Sequence, residues 1–211
     1  MKLFLTSSCI SENLRDPFLN FLDRPVQDTK LFFIPTASDV EENKFYTCKS
    51  MDDLAAVGLN PVWYALKHKT REQLKRELSQ ADVIWVNGGN TFHLLEVARK
   101  TGFLDVVREL VVEHGVCYGG TSAGSILASP TIVAATWGGD AADPNMSNLQ
   151  DFSALHLVPF LTHVHYDPGL ERDELDVRRN EEGVPIYAIQ DGGAVEVNGD
   201  VVTVHGAVEE L

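Results

Sequence analysis

Residues 119–125 read Gly-Gly-Thr-Ser-Ala-Gly-Ser and follow the apolar run Val116-Cys117-Tyr118. A plain turn needs one permissive glycine, whereas here three surround Ser122. Gly120-Thr121-Ser122-Ala123-Gly124 fits the Gly-x-Ser-x-Gly elbow, a strained strand-to-helix turn that exposes a nucleophile. A helix beginning after Ser122 would aim its N–H groups and positive dipole end at the site, favouring a developing oxyanion. Its first free N–H belongs to Ala123. The same pattern also fits a glycine-rich turn without chemistry, or one that binds an anion.

A serine hydroxyl needs a base. Of the seven histidines, His68, His93 and His114 lie in or beside helical patterns without an obvious acid partner, and His156 precedes a proline-containing stretch. His163-Val164-His165 falls at the end of an expected strand, where functional groups of open α/β sheets gather. Residues two apart on a strand share a face, so both imidazoles are expected to point one way. That arrangement also admits a metal reading, with His163, His165 and Asp167 as ligands along one edge. No second ligand cluster accompanies them. A carboxylate should orient the base, and Asp191 in Gln190-Asp191-Gly192-Gly193 directly follows an apolar run. Its other reading is a turn aspartate before glycine.

These groups need elements to hold them. The chain alternates short β-rich runs with helical patterns, which predicts an α/β fold with a mainly parallel sheet. Strands are expected at 2–6, 31–35, 61–65, 82–86, 116–118, 161–165 and 185–189. Helices are expected at 43–57, 70–80, 91–100, 103–114, 122–128 and 170–180. Thr70-Arg71-Glu72-Gln73 is a capping box that fixes one helix start. Gly88-Gly89-Asn90 breaks the chain before another. Residues 137–151 lack periodicity and read as a long surface loop, and residues 195–204 as a hairpin turning at Asn198-Gly199.

At 211 residues, with 44% hydrophobic and 23% charged residues, the chain is expected to be one globular domain spanning 1–211. The start shows no signal-peptide core and no run suits a membrane span, so the cytoplasm is the expected address. Three cysteines without Cys-x-x-Cys spacing argue against a disulfide framework or zinc site. Cys117 reads as a buried filler, with a catalytic thiol as its alternative. A net charge of −14 without a basic block excludes nucleic acid and anionic membranes as expected partners.

Four segments together resemble the peptidase E family, the aspartyl dipeptidases, with cyanophycinase as a cousin. VNGGNTFHLL resembles the family's glycine-glycine-asparagine turn, and YGGTSAGSILASPTI its nucleophile elbow. THVHYD resembles its histidine strand, and IQDGGAVEV its acid-bearing turn and terminal hairpin. The resemblance implies a three-layer fold like that of class I glutamine amidotransferases: a mainly parallel sheet, helices on both faces and a C-terminal β-hairpin. It implies a serine peptidase with Ser122 as nucleophile, His165 as base and Asp191 where peptidase E has a glutamate. The backbone N–H groups of Gly89 and Ala123 would form the oxyanion hole, with Gly88 allowing close approach and Asn90 contacting substrate.

The implied substrate is a dipeptide with an N-terminal aspartate, with no cofactor and no metal; a homodimer is left open. A chain at −14 repels acidic substrates at long range, so a local cation would have to read that aspartate. Arg172 is the nearest match to the family's arginine, followed by Arg178 and Arg179. Two departures stand out: Asp191 is one methylene shorter than glutamate, and DPGLERDEL is shorter than the family's loop. Two rival readings remain. One is an α/β-hydrolase esterase using Ser122, Asp191 and His205, the other a non-catalytic ligand-binding module on the same fold. A glutamine amidotransferase would carry cysteine at the elbow.

Overall fold

Runs of aromatic and β-branched residues form extended segments because their side chains pack well on a pleated surface. The computed structural model describes residues 1–139 and 142–211; residues 140 and 141 of the expected 137–151 loop lie outside the described residues. The chain begins with strand β1 (Lys2–Thr6), helix α1 (Arg15–Phe21), β2 (Leu31–Ile34), α2 (Phe45–Ala56) and β3 (Val62–Trp63). It continues through α3 (Arg71–Leu78), β4 (Val83–Val86), α4 (Thr91–Thr101), α5 (Phe103–Glu113), β5 (Cys117–Thr121) and α6 (Ala123–Ala128). After the loop come β6 (Leu161–Val164), α7 (Pro168–Glu182), β7 (Ile186–Ile189), β8 (Ala194–Asn198), β9 (Val201–His205) and β10 (Val208–Glu210).

The main sheet has the order β3-β2-β4-β5-β1-β8-β9. Its first five strands run parallel, and β8 and β9 are antiparallel additions. Asn198 lies opposite Val201 across the turn between β8 and β9. The chain does not finish on that pair. It turns at Gly206 and sends β10 to β7, forming a second sheet of order β10-β7-β6. The expectation of one sheet therefore needs correction: the strand preceding His165 and the strand preceding Asp191 pair with each other, outside the main sheet.

Side-chain alternation builds a core on each face of the main sheet. Leu3, Leu5, Ile84, Val86 and Tyr118 pack toward Leu74 and Leu78 of α3 and the buried sides of α4, α5 and α6. Phe4, Phe33, Val83 and Trp85 point the other way, against Phe18 and Phe21 of α1 and Leu54 of α2. Phe18 meets Phe4 and Trp85 edge-on, with ring centroids 5.4 and 5.5 Å apart. Burying one such ring contributes about 1.5–3 kcal/mol, so each face is anchored by a few aromatic residues.

Local signals set the helix limits. Thr70 accepts from the Gln73 N–H, while the Gln73 side chain accepts from the Thr70 N–H, closing the capping box of α3. Asn90 caps α4, and Gly102 ends it in the left-handed conformation before α5 starts. Asp167 caps α7 with Pro168 in its first turn. Helix α1 and strand β10 went unpredicted. Each is too short to carry its own periodicity, and each is held by the core or sheet edge it meets.

Candidate active site

The elbow is shaped by close packing. Strand β5 runs through Gly119 and Gly120 to Thr121, three residues beyond the predicted end at 118. A Cβ on Gly119 would sit inside the Trp85 ring, and one on Gly124 would overlap the Val86 carbonyl. A Cβ on Gly120 would come within 2.7 Å of the Gly124–Ser125 backbone. Gly120 and Gly124 thus let α6 pack directly onto β4 and β5, while Gly119 makes room for the Trp85 ring on the opposite face. Between strand and helix, Ser122 adopts φ 52° and ψ −114°, a conformation that costs a non-glycine residue about 1–3 kcal/mol. Surrounding bonds hold it there. The Ser122 N–H donates to the Thr6 carbonyl at 3.0 Å, the Ser125 hydroxyl donates to the same carbonyl at 2.7 Å, and the Tyr118 hydroxyl donates to the Gly124 carbonyl at 2.6 Å.

His165 Nε2 lies 3.1 Å from Ser122 Oγ, and His165 Nδ1 lies 2.8 Å from Asp191 Oδ1. The aspartate is long enough to meet the imidazole. His165 has left β6, which ends at Val164, and stands at φ 57°. That turn overturns the expectation that His163 and His165 share a face. His163 stays buried, with Nε2 3.1 Å from Glu171 Oε1 and its ring against Trp137. Burial lowers the His163 pKa, and the neighbouring Glu171 only partly offsets the effect. Asp167 Oδ1 accepts from the Gly169 N–H, and His163, His165 and Asp167 do not bring their ligand atoms together among the described residues.

Ser7, directly after β1, is a site residue the sequence reading missed. Its Oγ donates to Asp191 Oδ1 at 2.7 Å, accepts from the His165 N–H at 2.8 Å, and lies 3.2 Å from His165 Nδ1. Ser8 accepts from the Gly192 N–H and Asn13 donates to the Gly192 carbonyl, fixing the turn that carries Asp191. Partial burial raises the Asp191 pKa, but the Ser7 hydroxyl and the His165 ring outweigh it and leave the carboxyl below its usual range. The positional rule that singled out His165 could have found Ser7, which also follows a strand of the parallel set.

These groups line a cleft of about 650 Å³ at the C-terminal ends of the parallel strands, bordered by Asn87, Gly88 and Gly89 after β4 and by residues of α2. A Cβ on Gly88 would approach Ser122 Cβ to 2.9 Å, so this backbone lies against the serine. A Cβ on Gly89, at φ 132°, would come within 2.5 Å of the Ala37 carbonyl. The N–H groups of Gly88 and Gly89 have no backbone partner among the described residues. Asn90 does not line the cleft; it caps α4 by accepting from the His93 N–H and donates to the Pro144 carbonyl. Asp143 does line it, held by the Thr91 N–H at 2.7 Å. Part of the 137–151 loop is thereby pinned over the cleft.

The structure does not bring the three arginines there. Arg172 pairs with Glu209 and Asp176, and Arg178 with Glu174 and Glu181, because α7 offers acids at helical spacing. Arg179 lines a separate depression with Arg172. Lys49 of α2 is the lysine or arginine lining the cleft among the described residues, 2.6 Å from Asp53. Glu41, Asp53 and Asp143 give the same walls an acidic character. His205, the base of the esterase reading, pairs with Glu196 at 2.8 Å and stacks on Phe4, away from Ser122. Cys117 is buried near Asp23, and burial pushes its thiol up to about 11. Cys9 lines the cleft, but burial pushes it up to about 12, leaving it an unreactive thiol.

A family model described as Peptidase family S51 matches residues 3–205. An uncharacterized peptidase of Pasteurella multocida is 31% identical over 207 residues, covering 97% of each chain. A probable alpha-aspartyl dipeptidase of Drosophila melanogaster is 35% identical over 179 residues, or 81% of this chain and 70% of that one. The crystal structure of a peptidase E candidate from Listeria monocytogenes is similar with a TM-score of 0.79 at 31% identity, covering 96% of each chain.

Proposed function

Because this chain belongs to peptidase family S51, we propose that it hydrolyses short peptides with Ser122 as nucleophile, His165 as base and Asp191 as orienting carboxylate. The observation that carries this reading is the hydrogen-bonded series Ser122 Oγ, His165 Nε2 and Nδ1, Asp191 Oδ1 at 3.1 and 2.8 Å. In it, Asp191 accepts from Nδ1–H, which leaves Nε2 free to take the serine proton. Ser122 Oγ then attacks the scissile carbonyl, and the N–H groups of Gly89 and Ala123 stabilise the oxyanion at the start of α6. His165 returns the proton to the leaving amine, and water attacks the acyl-enzyme by the same route. The elbow after a parallel strand supports grouping the fold with class I glutamine amidotransferases, with residues 1–211 as one domain. Three free cysteines support a reducing compartment such as the cytoplasm.

The cleft's chemistry suggests what the peptide presents. Glu41, Asp53 and Asp143 suit the free ammonium of a peptide's amino end, and the volume falls within the range of small-molecule pockets. A second reading, an N-terminal aspartate, is favoured by the name of the Drosophila relative. Lys49 would then have to bind its carboxylate in place of the arginines. A panel of Ala-Leu, Lys-Leu, Asp-Leu and N-acetyl-Ala-Leu separates these outcomes. Cleavage of Ala-Leu and Lys-Leu, lost on acetylation and in Ser122→Ala, is expected. Cleavage confined to Asp-Leu and abolished in Lys49→Ala would replace the ammonium reading with the aspartyl one. Full activity of Ser122→Ala would remove the serine mechanism.

A further inference from the structure

We infer that Ser7 is a positioning residue of the hydrolytic site, locking Asp191 and His165 together through one hydroxyl. The inference rests on the assignment of Ser122, His165 and Asp191 made above. A serine hydroxyl has one proton and two lone pairs. Here the proton goes to Asp191 Oδ1 at 2.7 Å, and a lone pair receives the His165 N–H at 2.8 Å. Asp191 Oδ1 therefore faces two donors, Ser7 and His165 Nδ1. The 3.2 Å approach of Ser7 Oγ to Nδ1 adds no competing bond when Nδ1–H is donated to the carboxylate.

The need for such a lock follows from where the two partners sit. Asp191 opens a turn that continues through Gly192 and Gly193, its side chain is 66% exposed, and among the described residues its side-chain hydrogen-bond partners are Ser7 and His165. His165 lies past the end of β6 at φ 57°, and its own N–H goes to Ser7 before the Tyr166 N–H rejoins the Ile189 carbonyl of β7. Ser7 is fully buried, and it follows β1, the strand that pairs with β5 and leads through it to Ser122. One side chain thus references both the base and its carboxylate to the frame that holds the nucleophile. The shorter aspartate gains from this, since its second donor sets the angle at which it meets the ring.

Kinetics of Ser7→Ala, Asp191→Ala and the double variant, each checked for folding by melting temperature, test the assignment. Ser7→Ala is expected to lower kcat about 10- to 100-fold, the range for losing a hydrogen bond to a charged group. KM should stay within about twofold, because uniform binding is untouched. In the Asp191→Ala background, Ser7→Ala should cost less than about twofold more, as expected of groups acting as a unit. An unchanged kcat in Ser7→Ala, a loss carried in KM instead of kcat, or fully multiplicative losses would overturn the role. Should Ser7→Ala not fold, Ser7→Cys keeps the volume with a weaker donor and is read by the same criteria. If Asp191→Ala itself keeps full activity, the underlying assignment fails instead, and the two failures are distinct.

Discussion

At the scale of single residues, the proposed chemistry depends on which imidazole faces Ser122. His165 lies 3.1 Å from the hydroxyl, whereas His205 spends Nε2 on Glu196 at 2.8 Å. His165→Ala is accordingly expected to lower kcat by roughly three or more orders of magnitude, as removal of a base acting with its nucleophile does. His205→Ala should retain near wild-type kcat. Steady-state kinetics on one cleaved dipeptide decide the matter, and the opposite pattern would favour the esterase arrangement. The residues of the elbow and the paired histidines were legible in sequence because their types and spacing carry the chemistry. Ser7 carried only its place after a parallel strand as a signal, and nothing local tied it to Asp191 and His165 until the fold set them beside it.

At the scale of elements, the contact between α6 and strands β4 and β5 decides the elbow's shape. Gly124 has no room for a side chain, because a Cβ there overlaps the Val86 carbonyl, a backbone atom that cannot rotate away. Gly124→Ala should destabilise the protein by about 1–3 kcal/mol, the usual cost of overpacking. The melting temperature should drop by roughly 2–4 °C for each kcal/mol. Because the displaced helix carries the Ala123 N–H, kcat should fall as well. Calorimetry showing no loss of stability would mean that α6 can lift off β4 freely. Helix α7 shows the reverse case. Its charged residues pair at helical spacing along its own surface, and Arg172 reaches across to Glu209, so Arg172 and Arg178 are engaged before any substrate arrives.

Across the whole molecule, 31 acidic residues against 17 basic ones set a negative field, and the cleft adds Glu41, Asp53 and Asp143 to it locally. Such a field attracts cations and repels anions over a Debye length of about 10 Å at 0.1 M salt. Raising ionic strength from low to about 0.3 M is expected to lower kcat/KM for Lys-Leu and to leave Ala-Leu nearly unchanged. Any turnover of Asp-Leu should rise with salt. Stopped assays across a salt series check this, and an Asp-Leu rate that falls with salt would indicate a positive local field around Lys49 instead. Among the described residues no helix is long and apolar enough to cross a membrane.

The sequence by itself determined the alternation of strands and helices, the glycine elbow, and the candidate serine, histidine and aspartate, because these are local. Periodicity, capping residues and glycine positions act within a few residues of where they are read. Only the tertiary structure decided that β6 and β7 leave the main sheet, that His163 turns to Glu171 while His165 turns to Ser122, and that the arginines of α7 stay outside the cleft. It also placed Ser7 between His165 and Asp191 and put Lys49 on the wall of the cleft. The reason is common to all of these. Each depends on which segments meet in space, from 43 residues apart for His165 and Ser122 to 184 for Ser7 and Asp191, or on which of several nearby charges a side chain meets, and neither is encoded in spacing along the chain.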